Sequence, residues 1–477
     1  MVRSIGGLIL LALFSGALWL SSPVAADQAS DTLEVGFAER DVTPRVEAGG
    51  KPVWLAGFGK NRKATGVHDP LLVRALVVGD GKNRVALASV DVVGLFIETV
   101  DRIRHRLPGF AHVVISSTHN HEGPDTMGIW GPGPFTSGID PEYQQLLVIR
   151  VVEAIQAADR ARKPASARIG TVKVPELLHD GRKPLVLHDD LAVLTMHDPK
   201  SGKPSGMVVQ WNCHPETLAD DNKLVSADYV GYTVNLLQKK YNCPVVYFTG
   251  TVGGLMTSLH VPIKSTTGEV LKDGTYEKTA RYGELLAEAA IKAEKSAKAI
   301  KLTPVVARKK SLFLPLTNRL YVVARQFGVF NRDAFEMKPG DKAPVLVKEI
   351  DDPKKPYLVK TEVGYVGLGE LNIACIPGEI YPELVLGKVV AKAEVGADYP
   401  DAEIEPSIYA QMKGPHRMLL GLANDEIGYI IPKRQWDEKP PFAYDTKRGQ
   451  YGEVNSLGPE TAPLICNAFR DLLRSTK

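Results

Sequence analysis

Two histidines, His119 and His121, directly follow an apolar, β-branched run at residues 113–115 that is typical of a buried strand. On an extended chain both imidazoles point to the same side, because side chains alternate between the two faces of a strand. Two imidazoles are half of the ligand set of a zinc site. The Gly123-Pro124 break then ends the strand at the kind of edge where α/β proteins bind ligands. From this stretch alone, a polar loop with one capping histidine explains the pattern equally well.

Two further strand ends carry groups of the same kind. His214 follows an apolar run at 207–213, and Glu379 follows the run 371–376 and a Pro-Gly break. Two histidines and one carboxylate, with one position left open, are typical of a catalytic zinc site rather than a structural one. For His214 alone, a structural core histidine before Pro215 is the more common interpretation.

The strands and helices around these groups alternate along the sequence. This alternation predicts an α/β fold, with a mixed β-sheet core flanked by helices and the metal site at strand ends. A strand at 84–90, a helix at 97–107 and the strand before His119 form a βαβ-like unit. Residues 303–365 are strand-rich and suggest an insertion or subdomain within a single large catalytic domain at 27–477. Further helices are predicted from 141 onward and at 228–240, 276–299, 380–394 and 462–473.

The first 26 residues have the pattern of a secretory signal peptide. Arg3 precedes an apolar run at 5–20, and the small residues Val24-Ala25-Ala26 form a cleavage site. The mature chain at 27–477 is therefore expected to be secreted or periplasmic.

Net charge and cysteine spacing bear on two questions, nucleic acid binding and disulfide formation. A formal net charge of +3 gives no electrostatic reason to expect a nucleic acid partner. The four cysteines have no CxxC spacing and lie mostly in apolar patterns, which predicts buried free thiols. A Cys213–Cys243 bridge is the alternative in an oxidising compartment.

Five stretches resemble, in order, motifs of the neutral/alkaline non-lysosomal ceramidase family. Each motif is weak, but five in one order are hard to produce by chance. They are residues 117–124 (STHNHEGP, family THTHSGP), 213–217 with 225–232 (CHPET and VSADYVGY, family HPTS…SSDxxGY), 252–254 (VGG, family VGD), 376–379 (IPGE, family PGE), and 424–429 with 451–459 (NDEIGY and YGEVNSLGP, family NxYxxY…YE…GP).

The resemblance implies a zinc-dependent hydrolase that cleaves a linear N-acyl amide, with ceramide as the family substrate. It assigns zinc to His119, His214, Glu379 and a tyrosine of the last motif, which is Tyr429 here. The family motif offers two tyrosines, and the other position is Glu426 in this chain.

The same resemblance assigns catalytic roles to two further residues. His121 is expected to contact the substrate carbonyl or the attacking water, and Arg182 matches a family arginine that contacts substrate. Asp91 and Asp228 are candidates for the partners that fix imidazole tautomers, with a helix cap or a solvated acid as the alternative.

The substrate follows less directly from the sequence. The family turn carries Asp-x-Ser where this chain has Gly254-Leu255-Met256, which keeps open a different amide, an ester, or a non-catalytic exported binding protein. A lipid amide requires an apolar groove beside the metal and allows peripheral membrane contact. Residues 129–135 (IWGPGPF) are the predicted lining of that groove, with a packed Gly/Pro loop as the alternative.

Overall fold

The computed structural model describes residues 32–475, so the predicted signal peptide lies outside the described residues. Within that range the chain forms eight α-helices: α1 (Ile97–Arg104), α2 (Pro141–Arg160), α3 (Asp228–Tyr241), α4 (Tyr276–Lys295), α5 (Arg319–Gln326), α6 (Pro382–Leu386), α7 (Ile408–Gln411) and α8 (Thr461–Arg474). The strands of the same range are β1 (Glu34–Asp41), β2 (Gly66–Val67), β3 (Leu72–Gly79), β4 (Arg84–Val90), β5 (His112–Ser117), β6 (Lys163–Pro164), β7 (Ser166–Lys173), β8 (His179–Asp180), β9 (Asp190–His197), β10 (Pro204–Trp211), β11 (Leu224–Val225), β12 (Val245–Thr249), β13 (Met256–Thr257), β14 (Lys298–Ile300), β15 (Val305–Leu316), β16 (Ala334–Glu336), β17 (Val345–Val347), β18 (Tyr357–Leu368), β19 (Leu371–Cys375), β20 (Glu379–Ile380), β21 (His416–Leu420) and β22 (Tyr429–Ile430).

Three mixed sheets form the centre of the fold, which confirms the predicted α/β class. The first has the strand order β5-β4-β3-β1-β6, and the second has the order β12-β10-β9-β7-β14. The third has the order β17-β16-β18-β19-β21, with β15 also paired to β18. Each sheet contains one parallel pair at an edge: β4 with β5, β10 with β12, and β19 with β21. Of the residues predicted to bind metal, His119, His214 and Glu379 follow β5, β10 and β19, and Tyr429 begins β22.

One apolar core joins the three sheets beneath these strand ends. Val114 of β5, Val208 of β10, Phe248 of β12, Ile373 of β19 and Leu420 of β21 are buried in a single cluster. Because apolar side chains from all three sheets pack together here, the sheets are fixed relative to one another. Burial of each such side chain contributes about 1.5–3 kcal/mol to folding.

Backbone hydrogen bonds then fasten the strand ends to each other. Ser117 N donates to Leu422 O at 3.3 Å, Leu422 N to Gly378 O at 3.2 Å, and Gly421 N to Thr249 O at 2.9 Å. The segment after β21 therefore ties together the ends of β5, β12 and β19.

Most predicted elements are confirmed, and one helix is shorter than expected. The helix predicted at 380–394 covers only Pro382–Leu386, because Gly387 adopts a left-handed conformation with φ of 72° and ends it. The strand-rich region at 303–365 extends the third sheet, since β15 pairs with β18 along its whole length and β18 pairs with β19.

Two further observations concern the cysteines and the helices. All four cysteines are free and buried, which confirms the prediction of buried thiols. Among residues 32–475, every helix is too short or too polar to cross a bilayer.

Candidate metal centre and active site

Four of the predicted residues converge at the ends of the three sheets. Nε2 of His119 lies 3.3 Å and Nε2 of His214 lies 3.0 Å from Oε2 of Glu379. Ring nitrogens of His119, His121 and His214 lie within 4.8 Å of one another. All four side chains are buried. The fold thus assembles from distant parts of the chain the groups that the sequence placed at separate strand ends.

Backbone carbonyls set the tautomers of two of the histidines. Nδ1 of His119 lies 2.6 Å from Val93 O, and Nδ1 of His214 lies 2.8 Å from Met256 O. A carbonyl oxygen can only accept, so Nδ1 carries the proton in both rings. In the neutral rings the lone pairs at Nε2 then face the Glu379 carboxylate.

This donor set fits a divalent cation. Two lone pairs and a carboxylate oxygen repel one another unless a positive charge lies among them. Burial would lower the pKa of His214, but the hydrogen bond that His214 donates to Glu379, the charges of Glu216 and Glu379, and the Met256 carbonyl together raise the pKa to about 9. Burial would raise the pKa of Glu379, and the two imidazoles hold it well below its usual range. A proton on His214 therefore takes the place that a metal ion would fill.

The expectation that Asp91 and Asp228 orient the imidazoles is wrong. The carboxylate of Asp91 accepts from Arg74 at 2.8 and 2.9 Å, and that of Asp228 accepts from Leu218 N at 3.1 Å. Both acids satisfy neighbouring groups of the fold, while the carbonyls of Val93, after β4, and of Met256, in β13, contact the histidines.

His121 has a different partner from the other two histidines. Its Nδ1 lies 3.2 Å from Oε2 of Glu216, whose other oxygen accepts from the Thr257 hydroxyl. Burial lowers the pKa of His121 to about 4, although Glu216 acts in the opposite direction, so the ring is neutral at pH 7. Because Nδ1 faces the Glu216 carboxylate, Nε2 is the nitrogen available to a substrate.

Glu216 was not among the site residues identified from the sequence. Its signal was present, since a carboxylate stands two residues after His214 in the His-Pro-Glu segment. An acid at that spacing does not indicate by its type that it faces a second histidine from another strand end.

Gly57 fixes the other face of the His121 ring. Its φ of +93° favours glycine, and an added Cβ would lie 2.2 Å from Cγ of His121. The Phe58 ring packs edge-on against His121 at a centroid distance of 4.9 Å. Close packing by Gly57 and Phe58 therefore fixes the orientation of the imidazole.

Tyr429 and Glu426 both reach the site. The parallel pairing of β20 with β22 places Tyr429 beside Glu379 in register. Burial, and then the charge of Glu379, raise the pKa values of the Tyr429 hydroxyl and the Glu426 carboxyl well above their usual ranges. Both predicted alternatives for the fourth ligand thus lie near the cluster.

Arg182 occupies a different environment from the one predicted. Its two terminal nitrogens each lie 2.7 Å from an oxygen of Glu453, and they also donate to Tyr451 O at 2.8 Å and Gln435 O at 2.9 Å. The side chain is 3% exposed. Contact with a substrate would require this buried ion pair to open, so the contacts indicate a structural role.

An apolar cavity of about 620 Å³ leads to the cluster. The predicted groove residues Ile129, Trp130, Pro134 and Phe135 form one wall, while α5 and the residues after it form another that the sequence did not indicate. His119, His121, Glu379, Glu426 and Tyr429 also line this cavity. The loop wall is fixed by Asp125, whose carboxylate accepts from the backbone N–H groups of Met127, Gly128 and Trp130 at 2.6–2.9 Å.

A larger cavity of about 1400 Å³ lies next to this one but holds different chemistry. It is lined largely by polar and charged residues of the 436–456 segment, and it shares Leu320, Tyr451 and Val454 with the apolar cavity. The histidine cluster opens into the smaller cavity, so the smaller one is the candidate active site.

Comparison with known proteins gives relatives of one kind, although no family model matches the chain. A neutral ceramidase of Drosophila pseudoobscura pseudoobscura is 28% identical over 245 residues, which are 45% of this chain and 33% of that protein. The neutral ceramidase of Drosophila melanogaster is 27% identical over 244 residues, again 45% of this chain and 33% of the relative. The similarity thus spans about a third of the length of these relatives.

Solved structures extend the similarity to nearly the whole fold. A ceramidase solved in complex with C2 superposes with a TM-score of 0.68, at 14% identity, over 93% of this chain and 75% of that one. The neutral ceramidase from Pseudomonas aeruginosa gives the same TM-score and identity, over 93% of this chain and 74% of that one. At this identity the structures show a shared fold.

Proposed function

We propose that this chain, which is similar to neutral ceramidases in sequence and in fold, is a metal-dependent hydrolase that cleaves the amide bond of an N-acyl lipid. The substrate class is that of N-acylsphingosine, and the products are the free amine and a fatty acid. Zinc is the proposed ion, because two imidazoles and a carboxylate are a common ligand set of catalytic zinc.

One observation carries this proposal. Nε2 atoms from two histidines meet the carboxylate of Glu379 at 3.0 and 3.3 Å, beside an apolar cavity of about 620 Å³. His119, His214 and Glu379 would hold the ion. A lipid amide needs both a polar reaction centre and an apolar place for its chains, and this cavity provides the two side by side.

The residues around the centre have complementary tasks. A divalent cation bound there would polarise the scissile carbonyl and lower the pKa of a water molecule toward neutrality. His121 is neutral and its Nδ1 lies 3.2 Å from Glu216, so its Nε2 lone pair would take a proton from the attacking water and pass it to the leaving amine. Trp130 and Phe330 exclude water from the cavity and pack against the acyl chain.

The test uses purified residues 27–477, their zinc content and their hydrolysis of a fluorogenic N-acylsphingosine. We expect about one zinc per chain, and a loss of zinc and of hydrolysis in His119→Ala. His112→Ala is the matched control, because His112 is also a buried histidine of the same segment but stands at the opposite end of β5. The control is expected to keep both zinc and activity.

Other outcomes would redirect or end the proposal. Zinc binding with cleavage of an ester or a non-lipid amide, but not of N-acylsphingosine, would replace the substrate class and keep the chemistry. Absence of zinc after reconstitution would end the metal mechanism and favour an exported binding protein.

We also propose export of the protein through its predicted signal peptide. N-terminal sequencing of the protein recovered outside the cytoplasm is expected to begin at Asp27. Recovery only inside the cell, with Met1 retained, would contradict this.

A further inference from the structure

We infer that the larger, polar cavity beside the active site binds the head group of the lipid substrate, and that this head group is a neutral sugar. The inference rests on the proposed function and specifies its substrate class, an N-acyl lipid with a glycosylated head group. It follows from the position of the polar cavity, from the side chains that line it and from the contacts that hold its boundary.

The polar cavity begins one aromatic ring away from the metal centre. Leu320, Tyr451 and Val454 line both cavities, so they form the boundary between them. The ring centroid of Tyr451 lies 5.8 Å from that of Tyr429, which pairs in register with Glu379. A group bound in the polar cavity would therefore lie next to a substrate whose amide is at the metal centre.

The covalent structure of a sphingoid lipid fits this arrangement. The carbon that carries the head group is bonded directly to the carbon that carries the amide nitrogen. With the amide at the metal centre and a hydrocarbon chain in the apolar cavity, the head group must leave the site within a few bonds of the scissile bond. The polar cavity borders the apolar one there and can receive it.

The lining of the polar cavity suits a neutral group with many hydroxyls. Its charged side chains are balanced, with four basic and four acidic residues: Arg319, Lys439, Lys447, Arg448, Asp437, Glu438, Asp445 and Glu453. A phosphate or sulfate would be favoured by an excess of cations, which this lining lacks. Hydroxyls both donate and accept hydrogen bonds, so they can use side chains of either charge. Phe442 and Tyr451 add aromatic faces against which the C–H face of a sugar ring can pack.

Several of these side chains are available to a ligand. The side chains of Lys439, Asp445, Lys447 and Arg448 are exposed, and within residues 32–475 they have no ion-pair or hydrogen-bond partner. Glu453, by contrast, is engaged by Arg182 at 2.7 Å. The polar cavity therefore combines a fixed ion pair with free donors and a free acceptor.

The boundary between the two cavities is held at both ends. Nδ2 of Asn318 donates to Val454 O at 2.8 Å and to Ser456 O at 2.9 Å. Arg182 donates to Tyr451 O at 2.8 Å. Because side chains from distant parts of the chain fix the segment 451–456, the head-group site is formed before the substrate binds. Binding then does not have to order this segment.

Turnover of matched substrates tests the head group. Purified residues 27–477 are assayed with N-acylsphingosine and with its β-glucoside, both carrying the same fluorescent acyl chain. We expect kcat/KM to be at least about tenfold higher for the glucoside, because binding energy from the head group also stabilises the transition state. An equal or lower kcat/KM for the glucoside would overturn the inference.

A double variant tests the polar cavity itself. Lys447→Ala, Arg448→Ala removes two of its free donors, so kcat/KM for the glucoside should fall at least about tenfold while that for N-acylsphingosine stays within about threefold. Lys292→Ala, Lys295→Ala is the matched control, since it removes two exposed cations of α4 that line neither cavity. The control is expected to keep both values. An equal loss for the two substrates, or no loss for the glucoside, would contradict the assignment.

Binding of the deacylated products needs no turnover. Calorimetry compares sphingosine, glucosylsphingosine and phosphorylated sphingosine, which share the amine and the chain and differ in the head group. Glucosylsphingosine is expected to bind at least about tenfold more tightly than sphingosine, and Lys447→Ala, Arg448→Ala should remove this difference. Tighter binding of phosphorylated sphingosine than of glucosylsphingosine would replace the sugar by an anionic head group and overturn the inference.

The outcomes separate this inference from the proposed function. If the protein cleaves N-acylsphingosine but neither cleaves the glucoside better nor binds glucosylsphingosine more tightly, only the head-group site is refuted. If it cleaves neither substrate but binds glucosylsphingosine more tightly than sphingosine, the hydrolase function is refuted and the head-group site remains. If it does neither, both are refuted.

Discussion

Replacement of Arg182 by methionine tests whether this arginine stabilises the fold or contacts the substrate. Both of its terminal nitrogens bind Glu453 at 2.7 Å, and the side chain is 3% exposed. Methionine keeps much of the volume but leaves Glu453 as a buried charge without its partner. Removal of one side of a buried ion pair costs about 3–5 kcal/mol in the free energy of unfolding.

The backbone contacts of Arg182 place the expected cost at the upper end of that range. Tyr451 O and Gln435 O lose donors at 2.8 and 2.9 Å, and an unsatisfied buried acceptor costs about 1–3 kcal/mol before relaxation. We therefore expect a loss of about 5 kcal/mol. Since 1 kcal/mol shifts the Tm of a chain of this size by about 1–2 °C, the Tm should fall by about 5–10 °C.

The assay combines urea unfolding and calorimetry with kcat and KM measured well below the Tm of the variant. Both kinetic constants are expected to stay within about threefold of the wild type. The double variant Arg182→Met, Glu453→Met is the control. It should recover at least half of the lost stability, because well-packed apolar residues often replace a buried pair at little cost.

One result would refute this reasoning. If Arg182→Met kept the wild-type Tm and lost about 100-fold in kcat/KM, the arginine would contact the transition state, as the family resemblance implied. The ion pair with Glu453 would then have to open during the reaction.

Three further predictions follow from the site and its surroundings. Gly57→Ala places a methyl group 2.2 Å from the His121 ring, so kcat should fall at least about tenfold while zinc affinity stays within about threefold; equal kcat in the two proteins would contradict the packing argument. Removal of the metal by a chelator should lower stability, because an ion at 100 times its Kd contributes about 2.7 kcal/mol to the folded state; an unchanged unfolding curve would show that no ion is bound. The pKa of His112 is lowered to about 3 by burial and then by Arg104. The unfolded chain therefore takes up a proton below about pH 6.5 that the folded chain refuses, and stability should fall on acidification from pH 6.5 toward 3 by about 1.4 kcal/mol per pH unit. His112→Gln should reduce that slope in urea unfolding at several pH values, and equal slopes would rule out His112 as its source.

The residues at strand ends were the predictable part of the site. His119, His214 and Glu379 each follow an apolar run long enough to be a buried strand, and the family motifs named the same three residues. The strands before these residues are confirmed, because each apolar run also contributes side chains to the shared core. The alternation of strands and helices likewise predicted the α/β class.

The hydrogen-bond partners that come from other strands could not be predicted from the sequence. The carbonyls of Val93 and Met256 set the histidine tautomers, but every residue has a carbonyl, so no residue type identifies these two. Asp91 and Asp228 were predicted instead, because a carboxylate can fix an imidazole tautomer. In the structure their carboxylates accept hydrogen bonds from Arg74 and from the Leu218 N–H. The ion pair of Arg182 was beyond prediction for a related reason, since its partner Glu453 lies 271 positions away.

The second wall of the cavity shows the same limit on a larger scale. The wall at 129–135 follows the histidines directly, so its position near the site could be inferred from chain continuity. The wall from α5 comes from the region between β15 and β18, which reads from sequence as an insertion with no relation to the site. Those two strands extend the third sheet next to β19, whose end carries Glu379. The strand before Glu379 is β19, and the strands on either side of the α5 region are β15 and β18. All three belong to one sheet, so the shape of the cavity is coupled to the position of Glu379. A change in the insertion can therefore alter substrate selection without removing any residue that performs the chemistry.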